Sequence, residues 1–178
     1  MSTISIRSET PGDYGPIRDL IVEVFRQTFG SGEAEATLVE QIRQQPGDGP
    51  MLSLVALLDG VLAGHVLFSA VQLEQHPDVA VCALGPLGVY RRFQRQGVGS
   101  KLLLHGLEQC RELGYRAVFV QGSPDYYPRF GFESLTGTRL HTSFESEHDM
   151  GLDLEEGRIS RFFGLVDYPE PWLVFLED

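Results

Sequence analysis

Arg91-Arg92-Phe93-Gln94-Arg95-Gln96-Gly97-Val98-Gly99-Ser100-Lys101 is a glycine-rich, cationic turn in an acidic chain. Arg91, Arg92, Arg95 and Lys101 are among only 14 Lys and Arg residues in a protein of formal net charge -11. From Val79 to Leu107 around this turn there is no Asp or Glu. The apolar run Val79-Ala80-Val81-Cys82-Ala83-Leu84 before it predicts a buried strand, and Leu102-Leu103-Leu104-His105-Gly106-Leu107 after it predicts a helix. Strand, glycine turn and helix together present unpaired backbone N–H groups at a helix N-terminus. Those groups, with the helix dipole, hold phosphate.

Residue order decides which phosphate loop this is. A nucleoside-triphosphate loop ends in Gly-Lys-Ser/Thr, and Gly99-Ser100-Lys101 has the wrong order. A dinucleotide turn needs Gly-x-Gly-x-x-Gly, and Leu102 stands where its third glycine belongs. The pattern Gln/Arg-x-x-Gly-x-Gly/Ala is satisfied in full by Gln94-Arg95-Gln96-Gly97-Val98-Gly99. Downstream lies Tyr126-Tyr127-Pro128-Arg129-Phe130-Gly131-Phe132, after a buried strand predicted over Ala117 to Gln121.

Working outward, Ile4 and Ile6 alternate with polar residues as in a first strand, and Asp13 is placed to cap a helix. That helix has its apolar stripe at Ile17, Leu20, Ile21, Val24 and Phe25, and a second runs from about Glu33 to Gln44. Asp59-Gly60 joins Leu52–Leu58 to Val61–Val71 as a two-residue hairpin. Gly85-Pro86 interrupts the strand Val79 to Val89, because proline cannot donate to a ladder, and a bulge or splay is expected there. The helix after the glycine turn should end near Leu113, with Gly114 in the left-handed cap. Ser123-Pro124 reads as the start of a short helix. Residues 134 to 165 are poorly patterned, and Trp172 to Leu176 reads as a closing strand. The expected class is α/β of the α+β kind, with a mixed central sheet of about seven strands flanked by helices. Residues 1–178 are read as a single domain, with a core over 4–135 and a variable part over 136–178.

The two motifs, in this order and context, resemble those of the GCN5-related N-acetyltransferase (GNAT) superfamily. Gln94 to Gly99 is similar to its acyl-CoA pyrophosphate loop, and Tyr126 to Phe132 to its Tyr-x-(Lys/Arg)-(Leu/Phe)-Gly-Phe signature. Gly122, Pro124 and Tyr126 add the Gly-x-Pro-x-Tyr pattern of a bacterial subgroup of predicted N-acetyltransferases. The resemblance implies acetyl-CoA as cosubstrate, no metal, and transfer to an amine of a small molecule or peptide by direct attack in a ternary complex. It implies backbone contacts to the pyrophosphate from Arg95, Gln96, Gly97, Val98, Gly99 and Ser100, with Gln94 in the motif and charge from Arg92. It also implies pantetheine contacts from the opened strand at Leu87 and Val89, and Tyr127 as the acid meeting the departing thiolate. Many relatives carry an Asn after the fifth strand; here the segment is Gln121-Gly122-Ser123-Pro124-Asp125, with Ser123 the candidate substitute. Two readings stand beside this one: a non-catalytic acyl-CoA-binding or regulatory domain, and an acyltransferase using another acyl-CoA or a hydroxyl acceptor. His65, Asp125, Glu133, Glu33 and Glu35 are all conceivable bases, and none is assigned.

Composition sets the outer bounds. Acidity argues against general nucleic-acid binding, which needs a broad basic face. No apolar run approaches the ~20 residues of a membrane span, and Met1 to Arg7 lacks a signal-peptide core, so the expected compartment is the cytoplasm. Cys82 and Cys110 fall on a predicted core strand and helix, as buried thiols. Glu145, Glu147, Asp149, Asp153, Glu155 and Glu156 hint at a polyamine or basic-peptide acceptor. Family members are commonly homodimers, and the chain is read as compatible with one.

Overall fold

Strands that are apolar on both faces need cover on both faces, and that requirement sets the layers. In a computed structural model, which describes residues 1–176, five strands lie side by side in chain order. They are β1 (Ile4–Ser8), β2 (Leu52–Leu58), β3 (Val61–Leu73), β4 (Val81–Val89) and β5 (Ala117–Gln121). β1 to β4 pair antiparallel, and β4 pairs parallel with β5. Four short strands follow: β6 (Glu133–Ser134), β7 (Leu140–Thr142), β8 (Asp149–Asp153) and β9 (Gly164–Asp167). β8 extends the sheet beyond β5 and carries β6 at its outer edge. β9 runs parallel to β7 and caps the end of β3 at Gln72 and Leu73.

Helices α1 (Tyr14–Phe29) and α2 (Glu33–Gln44) cover one face of the sheet, and α3 (Val98–Glu112) covers the other. Period-two alternation divides each strand between the two sides. Val55, Leu67, Ala83 and Phe119 pack with Ile17, Leu20, Leu38 and Ile42. Leu54, Val66, Phe68, Cys82 and Val118 pack with Leu102, Leu103, Leu107 and Cys110. Each of these larger side chains, fully withdrawn from water, contributes ~1.5–3 kcal/mol. Both cysteines are free and buried, as expected.

The predicted punctuation is present. Asp59 and Gly60 have φ of 51° and 84°, the left-handed pair of a two-residue hairpin turn. After α3 the N–H of Tyr115 bonds to the Cys110 carbonyl and that of Gly114 to Arg111, a Schellman end with Gly114 left-handed. At Gly85-Pro86 the β3–β4 register shifts: Val66 faces Leu87, but Phe68 faces Leu84. β4 stays paired with β5 only over Val81–Ala83. Beyond Ala83 the two parallel strands part, and a gap opens between them.

Three expectations are corrected. Trp172 to Leu176 is not a strand but part of a 3₁₀ segment, Glu170–Leu176. Pro169 and Pro171 cannot donate to a ladder, β9 already occupies the end of β3, and i,i+3 spacing lets Trp172 and Phe175 face one side. The segment after Ser123-Pro124 forms no α-helix, only turns and a 3₁₀ stretch at Tyr127–Phe130, stopped by Gly131 at φ 97°. Asp13 does not cap α1 through its side chain; it accepts the Thr10 N–H and the Arg7 guanidinium instead, closing the turn before the helix. The mixed central sheet flanked by helices is present as expected; among the described residues it counts nine strands, the short ones after residue 134 included.

Candidate active site

The gap between β4 and β5 leads to a cavity of about 610 Å³ roofed by the N-terminus of α3. Its walls include Leu87 and Val89 of β4, Gln94 and Arg95 of the turn, and Gly97, Val98, Gly99 and Ser100 at the helix start. Gly122, Ser123, Tyr126, Tyr127 and Arg129 close the opposite wall. Of the residues expected at the donor site, these ten line one space: Leu87, Val89, Gln94, Arg95, Gly97, Val98, Gly99, Ser100, Ser123 and Tyr127.

The turn is a good anion seat for two reasons. The first α-helical N–H to find a partner in α3 is that of Lys101, which bonds to the Gly97 carbonyl. Those of Val98, Gly99 and Ser100 precede it and are left for a ligand. Among the described residues, none of Arg91, Arg92, Arg95 and Lys101 has an ion-pair partner. The charge is therefore uncompensated. A phosphate-bearing ligand fits this seat.

Not every expected residue reaches the cavity. The Arg92 guanidinium stacks over Tyr90 and Phe93, 4.6 Å and 4.8 Å from the ring centroids. The Gln96 amide donates to the Arg92 carbonyl at 3.1 Å, and neither residue lines the space. Gln94 lines it while its amide donates to the Val89 carbonyl at 3.0 Å, tying the turn to the end of β4. Arg129 joins the wall without having been expected there, its guanidinium 4.7 Å over the Tyr126 ring. Tyr126 lines the space as well.

Tyr127 is fixed by neighbours. Its ring meets Tyr126 edge-on at 5.1 Å and Phe132 at 5.6 Å. It also lies flush against Gly122, where an added Cβ would stand 2.5 Å from Cε2. Burial pushes its phenol well above the ordinary tyrosine value, and Tyr126 adds to the rise. The group keeps its proton, and its O–H remains a donor.

A second cavity, also about 610 Å³, shares Phe25, Leu84, Gly85, Pro86 and Gln121 with the first. Its far wall is aromatic: Phe144, Tyr168, Trp172 and Phe175. Among the described residues Glu35 is its one acidic lining residue. Of the conceivable bases, only Glu35 faces either cavity. His65 is wholly buried against Ser53, with its pKa lowered to about 3 by burial first and by Arg43 second. Glu33 is paired with Arg18, and Asp125 and Glu133 are exposed away from both spaces. The acidic segment does not line the second cavity. Glu155 pairs with Arg116 and Arg158, Asp153 accepts the Ile159 N–H, and Asp149 accepts from Thr142 and Ser146. Neither the aromatic wall nor the selection of Glu35 had a motif to announce it.

Among the described residues there is no cluster able to hold a metal ion, and no helix is long and apolar enough to cross a membrane.

Comparison with known proteins supplies the frame for this geometry. A sequence model of the acetyltransferase (GNAT) family matches residues 16–132. The chain is 40% identical over 170 residues to the uncharacterized N-acetyltransferase YhbS of Escherichia coli, covering 93% of this chain and 96% of that one. It is 38% identical over 120 residues to the uncharacterized N-acetyltransferase YjhQ of the same organism, spanning 67% of this chain and 66% of YjhQ. The crystal structure of E. coli YhbS in complex with CoA superimposes with a TM-score of 0.84 and 32% identity, covering 97% of this chain and 93% of that one. A GNAT family acetyltransferase from Brucella melitensis in complex with acetyl-CoA gives a TM-score of 0.76 and 30% identity, over 96% and 98% of the two chains.

Proposed function

The chain belongs to the acetyltransferase (GNAT) family, and from that premise we propose that it moves the acetyl group of acetyl-CoA directly onto a primary amine. The observation that carries this reading is the meeting of two cavities at Leu84, Gly85 and Pro86, one with an acid-free cationic helix start and one without. Two substrates can thus be held at once across the break in β4, which is what direct transfer in a ternary complex requires. Both thiols lie under α3, outside either cavity, so no cysteine is placed to carry the acetyl group. The second cavity favours an enzyme over a non-catalytic acyl-CoA-binding domain.

Bound acetyl-CoA would supply an activated acetyl group as a thioester. Val98, Gly99 and Ser100 offer N–H groups to its pyrophosphate, and Arg95 adds charge from the rim. Leu87 and Val89, on the half of β4 that has left β5, present backbone groups toward the gap, where a pantetheine arm can take the place of the missing strand. An N–H of this opened strand is placed to polarise the thioester carbonyl. The amine must arrive or become neutral; at pKa ~10.4 its deprotonation costs about 4–5 kcal/mol at pH 7. As the C–N bond forms and the C–S bond breaks, Tyr127 donates a hydrogen bond to the departing sulfur. Its raised pKa makes complete proton transfer to a thiolate of pKa ~8.5 uphill, so stabilisation by that bond is its main contribution.

The test is Tyr127→Phe, which keeps the ring and removes the donor. Free-thiol release should slow by roughly 10–1000-fold in kcat, with acetyl-CoA affinity unchanged by calorimetry. Equal kcat in the two proteins would remove Tyr127 from the chemistry.

A further inference from the structure

The second cavity has a chemistry of its own. Phe144, Tyr168, Trp172 and Phe175 form one continuous array, with successive ring centroids 4.9, 5.1 and 6.5 Å apart. The array meets the break in β4 at Trp172, where a Cβ on Gly85 would stand 3.0 Å from the ring. It comes from residues beyond the segment shared with the family at large, 16–132. Phe25 and Glu35 line the same cavity. Among the described residues Glu35 has no ion-pair partner, although Glu33 and Glu40 on the same helix both engage Arg18.

A half-open cavity of this volume with one aromatic wall is sized for a small molecule. Among the described residues it offers a single carboxylate, Glu35, so a second or third cationic centre would be desolvated without a partner from them. Aromatic faces and one carboxylate together accommodate one ammonium on an apolar body. The surface carboxylates of the 145–156 segment lie elsewhere and give a polyamine no purchase here. Resting on the transfer reading above, we propose that the acceptor is a small monoamine with an aromatic or branched apolar body, and that Glu35 is the residue that binds and orients its ammonium. The aromatic wall selects the body, and Glu35 selects the charge.

The experiment uses the full chain with acetyl-CoA and three acceptors: 2-phenylethylamine, spermidine and a lysine-containing peptide blocked at its N-terminus. Thiol release should give a kcat/KM for 2-phenylethylamine at least about tenfold above the other two. Calorimetric titration of 2-phenylethylamine into the protein saturated with CoA should show binding that spermidine does not. Glu35→Gln should weaken that binding and raise KM by roughly tenfold or more, with the acetyl-CoA melting shift unchanged, and Glu35→Asp should recover part of the loss. Preference for spermidine or the peptide overturns the substrate class. So does saturable acetyl-CoA binding with no binding or turnover of 2-phenylethylamine. An unchanged KM in Glu35→Gln overturns the role of Glu35. Absence of acetyl-CoA binding is a separate result and strikes the transfer reading instead.

Discussion

Burial acts on two ionisable side chains here in opposite senses, and the consequences differ. At Tyr127 it holds a proton on a phenol at the edge of a cavity, where a donor is useful. At His65 it keeps a proton off an imidazole inside the core, lowering its pKa to about 3, and the result is a pH-dependent stability. The folded value lies below the ~6.5 of an unfolded chain, so the unfolded state binds the extra proton. This contribution is complete above pH ~6.5 and is lost as pH falls toward 3, with a slope approaching ~1.4 kcal/mol per pH unit. Urea unfolding between pH ~7 and ~5 should show that slope, and His65→Gln should flatten it whatever its absolute stability. Parallel slopes in the two proteins would contradict the assignment. Residue-level legibility followed the same division between backbone and packing. Gly97 and Gly99 could be read because a backbone that approaches phosphate demands glycine. Glu35 could not be told from Glu33, because only packing shows that one meets Arg18 and the other meets a cavity.

Among the elements, α3 carries the most consequence, since its first turn is the anion seat and its body is a face of the core. Gly106 sets how closely it approaches the sheet: a Cβ there would lie 2.3 Å from Cε2 of the fully buried Phe68. Two effects compete in Gly106→Ala. Helix propensity favours alanine by up to ~1 kcal/mol, and overpacking against a fixed ring costs ~1–3 kcal/mol. The ring cannot yield inside the core, so denaturation should show a net loss of roughly 1–2 kcal/mol. A gain in stability would mean that α3 rides higher on the sheet than this packing requires. Elements with a periodic pattern or a punctuating glycine were legible: α1, α2, the Asp59-Gly60 hairpin and the Schellman end of α3. The closing apolar run misled, because β propensity points to a strand whereas Pro171 and the ladder already filled by β9 leave only a 3₁₀ path.

Across the whole molecule, an overall charge of -11 coexists with a cationic turn that no carboxylate among the described residues pairs with. The local charge governs what binds there, because screening over ~8–10 Å keeps distant carboxylates from cancelling it. The donor side was legible as a contiguous motif followed by a second one. The acceptor side was not, because Phe144, Tyr168, Trp172 and Phe175 become neighbours only once β9 pairs with both β3 and β7. The central claim concerns the donor, and thermal melting with acetyl-CoA tests it most directly. At a hundredfold excess over the dissociation constant, binding should add ~2.7 kcal/mol and raise Tm by roughly 5–10 °C. An unchanged Tm at millimolar acetyl-CoA would contradict it.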